Sequence, residues 1–316
     1  MRVRDRPILS DVYENSRAFR PVEGSAYVYG HTDETRSSHV GGFEGADNVE
    51  YVRLRAVNPD AFAKVSETGA EEEFTLHSKR RLREFWDDLG RPDVYIDITG
   101  LEHHLWAPLL KSALEADVRP HVVYVEPESY TSRRSVSMVR LFDLSEEIEG
   151  LRGLPGFVTF RQTEDDVCFV PLLGFEGPRL QYCYTHVDPP LNKTVPVVGA
   201  PGFAPEYPFY TLYANKTTLE GEEPLWSSVR YATASCPFSL YYLLEDIAAD
   251  YPGDLMKVAL IGTKPHALGA VLYAIANGRS RVELIYDWPK RKPGRTSGAG
   301  RLHVYHVYEL PLSSGN

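Results

Sequence analysis

The stretch VALIGTKPHALG, residues 258–269, decides the fold predicted for this chain. It begins with four apolar residues, which are typical of a buried strand. Thr263 can accept a backbone N–H as a helix N-cap, and Pro265 suits the first turn of a helix. The apolar run 267–275 then indicates a buried helix, and VELIY at 282–286 indicates a second strand. The stretch therefore predicts a strand–loop–helix–strand unit.

The loop at the carboxyl end of the first strand is polar. In open α/β sheets, ligands bind in the crevice outside the carboxyl ends of the strands. This loop is therefore a candidate ligand site, and an ordinary strand-to-helix turn that contains a lysine is the alternative. Its members are Gly262, Thr263, Lys264, Pro265 and His266.

A basic segment, KRKPGRTSGAGR at 290–301, follows the second strand. It contains no acidic residue, and its glycines allow backbone N–H groups to turn toward an anion. Because one helix joins the two strands, their loops should open on the same edge of the sheet. We expect this segment and Lys264 to converge on one small anionic ligand, such as a nucleotide; a mobile, solvated hairpin is the alternative. The ligand-binding residues expected here are Asp287, Arg291, Arg295 and Ser297.

The first half of the chain repeats this order of elements. VYIDI at 94–98 indicates a strand, residues 102–116 an amphipathic helix, and HVVYV at 121–125 another strand. Recurring strand, helix and strand predict a parallel sheet with helices on its faces. Further predicted elements are strands at 25–30, 49–57, 229–232 and 302–310, helices at 74–89, 210–219 and 237–251, an irregular segment at 58–72, and a short antiparallel pair at 157–160 and 167–172.

Polar residues also follow the strands of the first half. Asp97 lies near the carboxyl end of its strand, where a carboxylate either caps the next helix or binds a ribose hydroxyl or acts as a base. Thr99 and Gly100 supply a hydroxyl and N–H groups at a helix start, which suits an anion. The loop after the strand at 25–30 is a candidate wall of the same site. Its candidate residues are Thr32, Asp33 and Arg36.

Composition narrows the class of protein. The chain has 316 residues and a net charge of −10, which argues against an extended nucleic-acid surface because phosphate binding needs dense positive charge. Its three cysteines form no CxxC pair, which argues against a disulfide framework or a zinc site. No GxGxxG or P-loop pattern occurs, so no cofactor is expected. The first residues lack an apolar signal region and no apolar run reaches membrane-spanning length, so we expect a cytoplasmic protein.

The two halves share the order of their elements, which indicates a duplicated unit. Each half ends a strand in an acidic turn, at Glu126 and at Asp287. The predicted fold is α/β, with two Rossmann-like units whose mostly parallel sheets are flanked by helices, plus a small antiparallel insertion. The proline pair at 189–190 predicts a domain boundary after residue 190. Residues 1–190 would then form the first unit with the insertion, and residues 191–316 the second.

Four short motifs resemble Rossmannoid sensor domains of prokaryotic defence systems, of which the CARF and SAVED domains bind cyclic oligonucleotides. The motifs are GTKPHALG, the Tyr286-Asp287 turn, YIDITG at 95–100 and VYVEPESY at 123–130. The resemblance implies a nucleotide-type ligand, such as a cyclic oligonucleotide. No effector nuclease domain is recognised after the sensor, so it also implies a partner protein that carries the effector activity.

Three functions stay open. The first is a sensor or regulatory subunit of an antiviral defence system that binds a nucleotide-type ligand. The second is a phosphodiesterase or nucleosidase-like enzyme with Asp97, Lys264 or His266 in acid–base roles. The third is a structural subunit of a larger complex that uses its tyrosines at an interface. Homo-oligomer formation stays open as well.

Overall fold

The structure is a computed structural model that describes residues 9–43, 48–66, 68–134, 140–159, 167–221, 225–278 and 280–311. The chain divides into two compact units. The first comprises the described residues up to 128 together with 297–311, and the second comprises those of 129–296. The boundary predicted after residue 190 falls inside the second unit, because Val167–Pro171 pairs there with Leu255–Ala259.

The first unit begins with eleven elements, in which 3₁₀ helices are labelled η. They are β1 (Ser10–Tyr13), η1 (Ser16–Ala18), β2 (Ala26–Gly30), η2 (Thr35–Gly42), β3 (Glu50–Asn58), β4 (Ala61–Val65), β5 (Glu71–Thr75), α1 (Lys79–Leu89), β6 (Asp93–Asp97), α2 (His103–Glu115) and β7 (Arg119–Val125).

The second unit follows without a break. Its elements are β8 (Ser129–Tyr130), β9 (Ser132–Arg134), β10 (Arg140–Phe142), β11 (Ser145–Ile148), β12 (Arg152–Gly153), β13 (Val167–Pro171), α3 (Gly177–Val187), η3 (Leu191–Lys193), β14 (Val197–Gly199), α4 (Tyr207–Ala214), α5 (Lys216–Leu219), η4 (Trp226–Ser228), β15 (Arg230–Ala232), α6 (Pro237–Asp250), β16 (Leu255–Ala259), α7 (Lys264–Asn277), β17 (Val282–Tyr286) and β18 (Pro289–Arg291). After β19 (Thr296–Ser297), β20 (Leu302–Tyr305) and η5 (Val307–Glu309) belong to the first unit.

The sheet of the first unit has the strand order β1-β20-β7-β6-β2-β3-β4-β5. Its four central strands, β7, β6, β2 and β3, run parallel, and the outer strands pair antiparallel. β2, β6 and β7 are buried along most of their length, which is typical of parallel strands covered on both faces, whereas β3 has many exposed residues. Trp86 on α1 and Trp106 on α2 are among its largest fully buried side chains.

The second unit has a parallel sheet as its centre. Strands β13, β16 and β17 pair parallel, and β12 adds antiparallel to β17. A separate parallel pair, β14 and β15, is linked to the β13 side by single parallel bridges, Phe169 to Thr194 and Leu172 to Val197. The parallel strands therefore follow one another as β15-β14-β13-β16-β17. Its core includes Phe169, Leu180 and Ile261.

The α/β class and the mostly parallel central strands are confirmed. The strand predicted at 282–286 is present with the same bounds, and those predicted at 94–98, 121–125 and 258–261 are present with shifted ends. Each neighbouring pair is parallel. Small antiparallel pairs also occur, β9 with β10 and β11 with β18. Within the described residues, none of the helices combines the length and the apolar character needed to cross a bilayer.

Three local predictions were wrong. The segment 58–72 is not irregular, because β4 and β5 form an antiparallel hairpin there, and the helix predicted at 74–89 starts only at Lys79, after the Ser78 N-cap. The acidic β5 is an outer strand whose Glu71 pairs with Arg55 in solvent. Its residues therefore lack the apolar pattern by which a strand is recognised in a sequence. The third error is the antiparallel assignment of 167–172, since β13 is buried and parallel to β16.

Candidate functional site

The loops at the carboxyl edge of the second unit's sheet are joined to one another. Gly174, after β13, packs against the Ile261 carbonyl. The position of a Cβ on Gly199, the last residue of β14, is 2.9 Å from Ala234 Cβ. The Thr263 hydroxyl donates to the Ala234 carbonyl at 3.0 Å. These contacts join the ends of four neighbouring parallel strands into one surface, which we call the second carboxyl edge.

The predicted N-cap of α7 is confirmed. Thr263 has extended backbone angles, and its Oγ1 accepts the His266 backbone N–H at 3.3 Å, while Pro265 lies in the first turn. The start of α6 lies close by, because the α7 residue Gly269 packs against the Pro237 carbonyl. The amino-terminal ends of α6 and α7 therefore both lie near the second carboxyl edge, where their dipoles favour an anion.

Lys264 is the first residue of α7 and is partly buried. A cation at a helix N-terminus opposes the macrodipole and would by itself lower the stability of the helix. Lys264 therefore does not stabilise α7 through the helix macrodipole.

His266 is fully buried at the same edge. Its Nε2 lies 3.1 Å from the Thr233 carbonyl, so Nε2 carries the proton and Nδ1 is left as an acceptor. Burial lowers the pKa of His266 to about 4 despite this bond. Nδ1 has no hydrogen-bond partner among the described residues. His266 is therefore a neutral imidazole near pH 7, with one buried acceptor unused.

Asp287, after β17, is tied to a residue that sequence reasoning missed. Arg179 on α3 donates to its two carboxylate oxygens at 2.5 and 2.7 Å, and both side chains are buried. Arg179 also donates to the Ile261 carbonyl at 3.4 Å. Burial works against the charge of Arg179, but the bonds to Asp287 outweigh it and raise the pKa of the guanidinium. Asp287 therefore holds the strand ends together.

The basic segment is matched by acids that lie far away in the chain. Lys290 pairs with Glu146 at 3.0 Å and Lys292 with Asp143 at 2.5 Å. Arg291 donates to the Tyr286 hydroxyl at 3.1 Å and lies 4.0 Å from the Glu176 carboxylate. The net charge read from residues 290–301 alone leaves out these acidic partners. The segment is therefore less cationic than its sequence indicates.

Two other candidates from this segment lie in different units. Arg295 is partly buried within the second unit, whereas Ser297 is exposed and belongs to the first unit. The structure thus brings the residues from Gly262 to His266 together, but Ser297 does not belong to the same unit.

In the first unit, Asp97 is fully buried and is engaged on both oxygens. Oδ2 lies 3.2 Å from the Tyr27 hydroxyl and 3.2 Å from His39 Nε2, and Oδ1 accepts the Thr99 N–H at 2.8 Å. Burial opposes ionisation of the Asp97–His39 pair. Their mutual attraction and hydrogen bonds nevertheless lower the pKa of Asp97 and raise that of His39. The predicted ligand residue is thus part of an internal network.

The other first-half candidates lie around this network. Arg36 is buried, and donates to Glu34 at 2.6 Å and to the Val125 carbonyl at 3.1 Å. Thr32 is bonded to Ser37 at 3.0 Å, whereas Asp33 is exposed.

Thr99 and Gly100 complete this edge of the first unit. The Thr99 hydroxyl accepts the Val125 N–H at 2.9 Å, and Gly100 packs against the Gly30 carbonyl. The carboxyl edge of the first sheet is therefore largely filled by the chain's own segment 34–39.

The loop LLGFE at 172–176 was missed as part of a site. Its signal was the apolar run VCFVPLL at 167–173, which ends in a glycine as VALIG does at 258–262. Such a run is typical of a buried parallel strand. The nearby acids at 164–166 led instead to an antiparallel hairpin in the prediction.

Comparison with known proteins gives no assignment for this edge. No protein-family model matches the chain. No curated protein matches it at a significant level either.

Proposed function

We propose that this chain is a cytoplasmic ligand-binding sensor or regulatory subunit that takes a nucleotide-type anion at the second carboxyl edge. One observation carries the proposal. The parallel strands β15-β14-β13-β16-β17 follow the order 3-2-1-4-5, so the chain changes direction between β13 and β16. Ligands of open α/β sheets bind at such a switch point. The loops Gly174 and Gly262–His266 lie directly at it.

The proposal includes two Rossmann-like units. In the first, the parallel strands β3-β2-β6-β7 follow the order 2-1-3-4, which has its switch point between β2 and β6. A glycine contact marks each switch point: Gly30 with Gly100 in the first unit, and Gly174 with the Ile261–Gly262 turn in the second. The close approach of two loops at corresponding places supports a duplicated unit.

The second edge is favoured over the first because of its polar groups. In the first unit, Arg36 and Asp97 are bonded to Glu34, His39 and Tyr27. At the second edge, the starts of α6 and α7 lie close together beside Lys264. The dipoles of two helix starts together with a lysine suit a phosphate.

Binding is favoured over catalysis on the same evidence. Acid–base catalysis needs a group that reaches the substrate and titrates near the working pH. Asp97 is buried and paired, and burial keeps His266 neutral. The enzyme therefore remains the second candidate. The CARF- or SAVED-like role, with a cyclic oligonucleotide, antiviral defence and an effector partner, belongs to this proposal and is supported by the short motifs alone.

Calorimetry on the whole chain tests the proposal with inorganic phosphate, AMP, ATP and cyclic oligoadenylates as probes. Lys264→Ala should lower the affinity for phosphate-bearing probes at least about tenfold, as loss of a charge-assisted bond does. The melting temperature should not fall. Lys216→Ala is the matched control, since Lys216 is an exposed lysine of the same unit. Unchanged affinity in Lys264→Ala would contradict the proposal. Chromatographic turnover of a bound probe would favour the enzyme.

A further inference from the structure

A group of five aromatic side chains lies in the second unit. We call it the aromatic cluster. Two members come from the segment that precedes β13, one from the loop after β13, and two from the start of α4. They are Tyr130, Phe142, Phe175, Tyr207 and Tyr210.

Phe175 is at the centre of the aromatic cluster. Phe142 stacks on it with ring centroids 4.5 Å apart and an interplanar angle of 24°. Tyr207 and Tyr130 meet it edge-on, at 5.1 and 5.4 Å. Aromatic rings prefer such offset and edge-to-face contacts. Tyr210 extends the group through Phe142, at 5.5 Å.

The aromatic cluster adjoins the second carboxyl edge. Phe175 directly follows Gly174, which packs against the Ile261–Gly262 turn at the start of the GTKPH loop. The Gly174 carbonyl is held by Asn215 Nδ2 at 2.8 Å. Tyr207 begins α4, which follows the loop after β14. Phe175 and Tyr207 thus lie in the segments that follow β13 and β14, two neighbouring strands on one side of the switch point.

Exposure separates these rings from the aromatic core. Core rings such as Trp106 and Phe62 are fully buried, whereas Phe175, Tyr130 and Tyr207 are partly exposed. These three rings therefore keep part of their surface accessible, in segments next to the second carboxyl edge.

The arrangement is also held in place before any ligand arrives. Glu176 follows Phe175 and accepts the Leu144 N–H at 2.9 Å and the Ser145 hydroxyl at 3.0 Å. These bonds fix the loop after β13 to the segment that carries Phe142. A preformed surface lowers the entropy cost of binding.

We propose that the aromatic cluster is the stacking platform for the base of the ligand, an inference that rests on the proposed function and names the part of the ligand it recognises. Each nucleobase has a π-face, and stacking on aromatic side chains is tolerant of base identity. Stacking therefore selects nucleotides over sugar phosphates. The helix N-termini beside Lys264 take the phosphate, and the rings around Phe175 take the base.

The test compares AMP, adenosine and ribose 5-phosphate by calorimetry on the whole chain. AMP should bind at least about tenfold more tightly than ribose 5-phosphate. Phe175→Leu and Tyr207→Leu keep an apolar side chain but remove the ring. Each should weaken the binding of AMP about tenfold without changing the affinity for ribose 5-phosphate. Phe209→Leu is the control, because Phe209 lies on α4, is 72% exposed and makes no ring contact in the aromatic cluster.

The outcomes separate this inference from the proposed function. Equal affinity for AMP and ribose 5-phosphate, or leucine variants that change only the melting temperature, would overturn the platform. Adenosine binding that depends on Phe175, with no binding of ribose 5-phosphate, would keep the platform and reject the phosphate site. If none of the three probes binds, the platform is rejected too.

Discussion

Arg179 and Asp287 form a two-bond ion pair in the interior of the second unit, with donor–acceptor distances of 2.5 and 2.7 Å. They are 108 residues apart in sequence. The pair connects α3 to the end of β17, and Arg179 also reaches the Ile261 carbonyl. It therefore fixes the strand ends from which the second carboxyl edge is built.

Removing one partner of this pair should destabilise the second unit strongly. Arg179→Met leaves the Asp287 carboxylate buried without its cation, and such a loss costs about 3–5 kcal/mol. Urea denaturation measures the free energy of unfolding. Arg55→Met is the control, because Arg55 and Glu71 form a similar two-bond pair in solvent, and such pairs add little. Equal destabilisation by the two substitutions would contradict the expectation.

Stability should fall on mild acidification because of His266. Its pKa is about 4 in the folded protein and about 6.5 in an unfolded chain. Above pH 6.5 both states are neutral. Between pH 6.5 and 4 only the unfolded state gains the proton, so the free energy of unfolding falls by up to about 1.4 kcal/mol per pH unit. Denaturation series from pH 8 to 4 should show this slope in the wild type.

His266→Gln should remove that part of the slope, whatever its effect on stability at pH 8. His77→Gln is the matched control, since the His77 side chain is 61% exposed. The same slope in the wild type and in His266→Gln would show that His266 is already protonated or accessible in the folded protein.

A ligand-binding role for Asp97 predicts that Asp97→Asn spares the fold and weakens ligand binding. The structure favours a different result, because Asp97 is buried and bonded to His39, Tyr27 and Thr99. We expect a loss of about 2–3 kcal/mol in the free energy of unfolding, typical of a buried hydrogen bond to a charged group. A variant that melts normally but loses ligand would restore the original interpretation.

The same variant should shift the titration of His39. Burial alone disfavours the imidazolium, and Asp97 is the main group that overcomes this and raises the pKa of His39. The stabilisation from His39 is thus present below pH 6.5 and lost as pH rises through its higher folded pKa. NMR titration of the His39 ring should give a lower pKa in Asp97→Asn than in the wild type. An unchanged pKa would mean that another group sets it.

The two switch-point glycines should not tolerate a Cβ. In Gly100→Ala the new methyl group would meet the Gly30 carbonyl, and in Gly174→Ala it would meet the Ile261 carbonyl. Backbone atoms cannot move aside cheaply, so each substitution should cost about 1–3 kcal/mol or more. Gly41→Ala is the control, because no atom lies within 4 Å of its Cβ position. Thermal melting of the three variants checks this.

Elements that depend on local apolar runs could be predicted from the sequence. The strands at 94–98 and 258–261 and the Thr263 N-cap follow from neighbouring residues, and all are present. β5 was missed because its acidic residues face solvent and its Glu71 pairs with Arg55 on β3, two strands away. In such a strand the pairing outweighs intrinsic propensity.

The candidate site was less predictable because its contacts are long-range. The GTKPH loop was found, but Arg179, the partner of Asp287, could not be inferred from spacing. The basic segment was overestimated because its matching acids, Asp143 and Glu146, lie more than a hundred residues earlier. The pairing of charges is a property of the fold rather than of the segment.

The return of β20 to the first sheet has a consequence for biosynthesis. β20 pairs with β7 and β1 of the first unit, although residues 129–296 lie between β7 and β20. On a ribosome the second unit is therefore complete while the first still lacks an interior strand. Closing the first sheet then requires that Ser297 be brought to Glu128. In the folded protein, the Glu128 N–H donates to the Ser297 carbonyl at 3.1 Å. Once residues 129–296 have folded, the two ends of this segment lie close together, which reduces the entropy cost of closing the first sheet. The order of translation therefore favours completion of the first sheet last.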